Sequence, residues 1–353
     1  MTAKYTVDLH DEWTEISLNV PSEDFEEAFA LFAAVARSPA IGPSAITRAA
    51  GKAGPARTDL AGESGPALYE GSLAAAVDRF HDILYSDHPY GARPQSRDFA
   101  TLTAEDVRDF HASQTVPSNM VIAIAGDIDV SGVESAIVER FGEHPFGASP
   151  EPVIAPPIGD LELAQHTFRS DKLQSWLVFG HELGPVPLED RAALEVMNYI
   201  LAGGHLYTRM TIETRYRYGY TNDASGFLED RWFGPGSYTF RTYSRHDVIG
   251  AIYDNMMGEI ERIREEPVTE EDLFVARGAL TDGAFQVRYL DGYATVRSFA
   301  LEKLRYGDHS RSATYVDRIR AVTAADVREA ARKYIRPERM QVVLVGKPVG
   351  LLD

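Results

Sequence analysis

The ten histidines are the first residues to test for catalysis, because there are no cysteines and imidazole is then the main zinc ligand left. Zinc hydrolysis needs two or three imidazole or carboxylate ligands around an open position, with a carboxylate to take the proton from bound water. On one helix this is written H-x-x-E-H or H-E-x-x-H, since residues four apart share a face. Neither string occurs. His81 and His88 are seven apart, but His88 falls in the turn-forming run Ser86-Asp87-His88-Pro89-Tyr90-Gly91. His181-Glu182 runs into Leu183-Gly184-Pro185, through which no helix continues. The other histidines are isolated and read as solvated or locally bonded. The chain also has no G-x-S-x-G elbow, phosphate-cradling loop or dinucleotide fingerprint.

A second segment has chemistry of a different kind: Glu213-Thr214-Arg215-Tyr216-Arg217-Tyr218-Gly219-Tyr220-Thr221-Asn222. It suits a strand, or the corner where a helix turns into one. Two readings are open. In one, it is an aromatic flank with arginines laid along it. In the other, it is a polar cluster that holds a peptide backbone, Arg donating to carbonyls and Tyr supplying a hydroxyl.

Composition limits what such groups could serve. The chain has 353 residues, 44% of them hydrophobic and 25% charged, enough for two domains with full cores. The net charge of −18 works against nucleic acid and anionic membranes, which reward clusters of Lys and Arg. It suits a soluble protein, cytoplasmic or periplasmic, that handles neutral or basic polypeptides. No run of about 18 apolar residues is present to span a membrane.

The elements that would position these groups come from an internal repeat. Thr103-Ala104-Glu105-Asp106-Val107-Arg108 returns as Thr323-Ala324-Ala325-Asp326-Val327-Arg328, an offset of 323 − 103 = 220. The offset holds without a gap through Pro117 and Pro337, Met120 and Met340, and Gly126 and Gly346. From 103 to 126, eight of 24 positions are identical, which makes this a duplicated domain. Each copy predicts a Thr-capped helix with an Asp three residues on, a Pro turn, and a buried strand ending in Gly: 121–125 in the first, 341–345 in the second. Trp13 and Trp232, at nearly the same offset, read as strand residues. Apolar stripes predict further helices through Phe25, Phe29, Phe32 and Ala36, and through Val248, Ile252, Met256 and Ile260. Thr269 and Asp272 open another helix.

Pro150, Pro152, Pro156 and Pro157 mark a linker. The expected division is a first unit over 1–147, a linker over 148–164 and a second unit over 165–353. The second unit begins with about 55 residues whose counterparts, at 165 − 220 = −55, precede residue 1. There the sequence predicts a strand through Trp176-Leu177-Val178-Phe179. A helix with Leu194, Met197 and Leu201 on one face follows, stopped by Gly203-Gly204. The first unit should therefore lack an N-terminal strand and helix, and a partner chain or a preceding piece should cover the gap.

Ala202-Gly203-Gly204 through Arg209 to Arg215 and Gly219-Tyr220-Thr221 resembles the second-domain signature of the pitrilysin/insulinase family of zinc peptidases. Ser86 to Gly91 resembles the turn after the third helix of that family's first domain. The two repeat copies resemble the helix and strand that close each family domain. The resemblance implies an α+β fold: two homologous units of the mitochondrial-processing-peptidase type, each a mixed, largely antiparallel sheet packed with helices.

What the resemblance implies about function follows residue by residue. The family's H-x-x-E-H helix would lie in the part that precedes residue 1. This chain then holds no metal and no catalytic residue, and zinc is expected in a partner. Glu63 or Glu70 falls in the region of the family's further Glu ligand. Arg215 matches the second-domain Arg thought to hold substrate. The Tyr expected seven residues later is replaced by Asn222, with Tyr220 close by. The substrate-binding set is thus Arg215, Tyr220 and Asn222. The implied role is a non-catalytic, substrate-holding subunit working with a catalytic H-x-x-E-H subunit as a heterodimer, or with a second copy as a homodimer, on peptide substrates. The alternatives are an N-terminally truncated zinc endopeptidase and a non-enzymatic scaffold.

Overall fold

The computed structural model describes residues 4–52, 71–92, 96–142, 150 and 154–352. Glu63 and Glu70 lie outside them. In chain order the elements are β1 (Lys4–Leu9), β2 (Thr14–Asn19), α1 (Phe25–Arg37), α2 (Pro43–Lys52), α3 (Leu73–Leu84), α4 (Ala104–Gln114), α5 (Val130–Phe141), β3 (Ala164–Arg169), β4 (Gln174–Leu183), α6 (Leu188–Asn198), α7 (Arg209–Thr211), β5 (Ala224–Glu229), β6 (Gly236–Arg245), α8 (Ile249–Glu265), α9 (Glu270–Gly278), α10 (Phe285–Val287), α11 (Gly292–Tyr306), α12 (Ser310–Ala321), α13 (Ala324–Tyr334) and β7 (Gln341–Gly346). Among the described residues no helix is long and apolar enough to cross a membrane.

The repeat is visible in the elements themselves. Helices α4 and α13 are each eleven residues long and start 220 residues apart. Each opens with a reciprocal capping box, Thr103 with Asp106 and Thr323 with Asp326, which satisfies two otherwise orphaned N–H groups. The hairpins β1–β2 and β5–β6 also correspond. Trp13 and Trp232 lie in the loops of these hairpins rather than in strands, because the chain reverses there.

The larger compact unit contains a five-stranded sheet in the order β3-β7-β4-β6-β5. Only β3 and β7 run parallel; the other neighbours are antiparallel, which gives the mixed, largely antiparallel sheet expected. Alternate residues face opposite sides, as the two-residue period of a strand requires. Leu177 and Phe179 of β4, with Val342 and Leu344 of β7, join the main core with α6, α8, α9 and α13. Val178, Val343 and Val345 face the other way and meet Ala76, Phe80, Leu84 and Tyr85, from α3 and the turn after it. The sheet is thus covered on both faces.

This arrangement differs from a division by chain order. Residues 71–92 belong to the same compact unit as 154–285 and 312–352, while 286–311 groups with 4–52 and 96–142. The two displaced segments are repeat mates: α3 shifted by 220 gives 293–304, inside α11. Each copy therefore lends the same helix to the opposite unit. The Tyr85 hydroxyl donates to the Pro235 carbonyl at 3.2 Å, and His88 Nε2 lies 2.8 Å from the Pro156 carbonyl. These bonds hold the α3 segment to the unit it covers.

The smaller unit carries the two-stranded β1–β2 sheet and a core of Phe29, Ala33, Ala36, Ala136 and Phe141. The strand expected at 121–125 is not formed. Its mate β7 is paired on both sides, by β3 and β4. Among the described residues no strand pairs with 121–125, so that run has no ladder to join. Ile122 and Ile124 are only partly buried, although Val342 and Leu344 are fully so. The glycines at the strand ends tell the same story. A Cβ on Gly346 would strike Ser175 of β4, whereas a Cβ on Gly126 would find its nearest atom, in Ile128, at 3.9 Å.

Candidate functional site

The segment from Gly203 to Asn222 lies in the larger unit, between the end of α6 and the edge strand β5. After α6 the helix widens through Tyr199–Gly203 and stops at Gly204. His205 sits in the left-handed region at φ 56°, an uncommon conformation for a residue with a Cβ. Thr208 then caps α7, accepting the Thr211 N–H at 3.1 Å. The helix widens again over Ile212–Arg217 and ends at Gly219, where φ is 64°. A residue without a Cβ takes that turn at no steric cost. The segment is a helix-to-strand corner, as one reading of the sequence had it.

Buried bonds fix the corner from beneath. Met210 is wholly buried, and Thr214 donates to its carbonyl at 2.7 Å. Arg209 reaches Asp272 at 3.0 Å, and Asp272 is also the capping partner of Thr269 on α9. Burial works to raise the Asp272 pKa. The Thr269 and Arg209 hydrogen bonds outweigh it and hold the carboxyl below its usual range. Nearby Glu259 is pushed up, because its burial outweighs the attraction of Arg262 and Arg209. On the strand side, Thr221 bonds the Tyr243 carbonyl at 2.7 Å and accepts the Asp223 N–H at 3.1 Å. Thr242 donates to the Asp223 carbonyl at 2.7 Å, and Ser244 donates to the carbonyl of Tyr220.

This scaffold brings Arg215 and Asn222 together. The Arg215 Nη1 donates to the Asn222 main-chain carbonyl at 3.1 Å. The Asn222 residue is exposed and Arg215 is half-buried. The Tyr220 ring packs against the main core and stacks on Tyr218 at 5.2 Å. Arg217 pairs with Glu213, four residues back on the same helix. The apolar or aromatic side chains of Leu206, Tyr207, Ile212, Tyr216 and Tyr218 stand exposed around the corner. No local pattern signals that exposure, nor the Arg209–Asp272 pair, whose members are 63 positions apart.

Zinc does not fit the described residues. Among them no group of three or more His, Asp or Glu converges as a metal cage would. His81 lies 3.7 Å from Glu229, but that carboxylate is shared with the Arg231 guanidinium at 2.8 Å. A cation already occupies that charge. His88 spends both ring nitrogens on the Tyr90 N–H and the Pro156 carbonyl. His181 is buried in β4, its Nε2 accepting the Arg336 N–H at 3.1 Å. Burial pushes its pKa down to about 4.

Comparison with known proteins identifies the arrangement. Residues 101–280, half of the chain, match the family model described as the peptidase M16 inactive domain. An uncharacterized zinc protease of Mycobacterium tuberculosis is 26% identical over 266 residues, 73% of this chain and 59% of that protein. This chain thus spans less than two thirds of that relative's length. Among solved structures, the peptidase M16 inactive domain of Pseudomonas fluorescens superposes with a TM-score of 0.80 at 20% identity, over 98% of this chain and 81% of that one. A chain of complex III2 from Candida albicans superposes with a TM-score of 0.74 at 14% identity, over 98% of this chain and 82% of that one. At these identities the structural likeness speaks for the fold.

Proposed function

The chain belongs to the peptidase M16 inactive-domain family, the pitrilysin/insulinase group that its sequence resembles, and from that premise we propose that it is the substrate-holding, non-catalytic subunit of a two-chain zinc peptidase. The zinc and its H-x-x-E-H helix belong to the partner. This chain contributes the larger unit's corner, where Arg215 donates to the carbonyl oxygens of a bound peptide. The carrying observation is the Arg215 guanidinium, whose hydrogen bond among the described residues goes to the main-chain carbonyl of Asn222, two positions before the edge strand β5. A peptide adding to that edge as a strand would gain main-chain hydrogen bonds, with Arg215 ready to fix its register.

The half-covered residues Ile122 and Ile124 in the smaller unit support an association with another chain, because uncovered apolar strand positions are what a partner buries. The test is peptide cleavage measured for this chain, for a candidate H-x-x-E-H chain, and for their mixture. A gain on mixing that weakens with Arg215→Ala supports the reading. No gain on mixing removes it.

A second reading is a scaffold without proteolytic function. Asn222 in place of the clamp Tyr favours it, and so does the fold shared with a chain of complex III2. Stable incorporation into a large assembly, with proteolysis unchanged when this chain is deleted, would select that reading.

A further inference from the structure

Within an acidic chain of net charge −18 the corner keeps one cation unmatched. Residues 205–222 hold three cations, Arg209, Arg215 and Arg217, and one acid, Glu213, while Asp272 reaches in from α9. Two of the three cations are matched: Arg209 by Asp272 and Arg217 by Glu213. Arg215 rests on a neutral carbonyl, and among the described residues it forms no ion pair. Its remaining N–H donors keep the fork geometry that suits a carboxylate.

Around this charge stands an exposed aromatic and aliphatic surface. Tyr207 is 74% exposed and Tyr216 58%, with Ile212 and Tyr218 also open to solvent. Ile212 and Tyr216 are spaced like Glu213 and Arg217, which do meet across one turn of the same helix. The Arg215 guanidinium lies 5.8 Å from the Tyr216 ring, so the cation and the apolar surface form one patch. Large side chains clustered beside an arginine are the usual makings of a recognition surface, and their low polarity strengthens any charge pair formed among them.

Resting on the reading that this corner holds peptide, we infer that it selects segments in which an Asp or Glu stands next to an aromatic or aliphatic residue. The acid forms a forked pair with Arg215, and the apolar neighbour covers Tyr216 and Ile212. Charge complementarity commits the site to that class. An acidic peptide is repelled by most of this protein and attracted at this corner, which gives selectivity of place as well as of sequence.

The test is fluorescence anisotropy with three labelled peptides of equal length that differ at one position, Glu, Gln or Lys, next to a Phe. They are titrated against the wild-type chain, Arg215→Gln, Tyr216→Ala and, as a control, Arg169→Gln on β3 at the opposite edge of the sheet, with circular dichroism confirming the fold of each variant. The expected result is that the Glu peptide binds at least tenfold tighter than the Gln peptide. That advantage disappears in Arg215→Gln and shrinks between 50 and 500 mM salt, while Arg169→Gln behaves as wild type. Tyr216→Ala weakens all three peptides alike. Equal binding of the three peptides, each weakened by Arg215→Gln, overturns the acidic preference and leaves the holding role standing. Binding that ignores Arg215→Gln, or no binding by any peptide, overturns both.

Discussion

Arg215 and Asn222, seven residues apart, are joined from side chain to main chain, the Nη1 donating to the carbonyl oxygen at 3.1 Å. Because the contact uses the backbone of residue 222, it fixes that position beside the guanidinium whatever side chain is attached. Thr221 and Thr242 hold the same stretch of backbone from below.

Asn222→Tyr should therefore place a phenol next to Arg215 without disturbing the corner. The Asn222 residue is exposed, so the expected change in stability is under about 0.5 kcal/mol. A hydroxyl that bonds the bound peptide adds about 1 kcal/mol, roughly a fivefold gain in affinity. Peptide binding by the variant and the wild type, measured side by side, checks this. An unchanged affinity would show that residue 222 does not face the peptide.

The corner's footing is the Arg209–Asp272 pair, whose arginine side chain is only 11% exposed. Asp272→Ala removes a helix cap and leaves a largely buried guanidinium without its carboxylate, at an expected cost of about 3 kcal/mol. Asp272→Asn can keep the cap and should cost less. Since the folded Asp272 carboxyl titrates below its unfolded value, its contribution is present at neutral pH and is lost only as the pH falls through the folded pKa. Urea unfolding at pH 7 and at pH 3 reads both effects: the gap between wild type and Asp272→Ala should narrow in acid.

Legibility differed between parts of the fold for a physical reason. Signals that act within a few residues were readable: the boxes at Thr103, Thr269 and Thr323 all form, and Gly203-Gly204 stops the helix it was expected to stop. Signals that depend on distant partners were not. The apolar stripe of α3 says that the helix covers something, but not that it covers β4 and β7 rather than the sheet of its own copy. The run 121–125 has the letters of a buried strand, yet a strand exists only where another pairs with it. At the site, resemblance singled out Arg215, while the exposed surface of Tyr207 and Tyr216 arose only from folding.

Ile124 and Leu344 are repeat mates and measure that difference directly. Leu344 is wholly buried between helices and paired strands, so Leu344→Ala should cost about 3 kcal/mol in transfer and cavity terms. Ile124 is partly covered, and Ile124→Ala should cost about 1 kcal/mol or less in the isolated chain. Denaturant titrations of the two variants give the comparison. If a partner chain covers 121–125, the cost of Ile124→Ala should rise in its presence while that of Leu344→Ala stays the same.

His181 gives the fold an acid-sensitive joint. Its ring is buried at the end of β4; Nδ1 lies 2.7 Å from the Glu182 carbonyl, and Nε2 accepts the Arg336 N–H. With Nε2 an acceptor, Nδ1 must carry the proton and the ring is neutral. Burial holds its pKa at about 4, against about 6.5 in an unfolded chain. Between these values the unfolded chain binds a proton that the folded ring refuses, so stability rises with pH across that window. Lowering the pH from 6.5 through 4 should cost about 3 kcal/mol from this residue, and once the pH is well below 4 no more is lost from it. His181→Gln keeps an acceptor for the Arg336 N–H and has no titrating proton. Its stability at pH 7 should lie below wild type by a packing term, and the part of the pH dependence between 6.5 and 4 that belongs to His181 should vanish. Parallel pH profiles for the variant and the wild type would mean that the ring is not held neutral by burial.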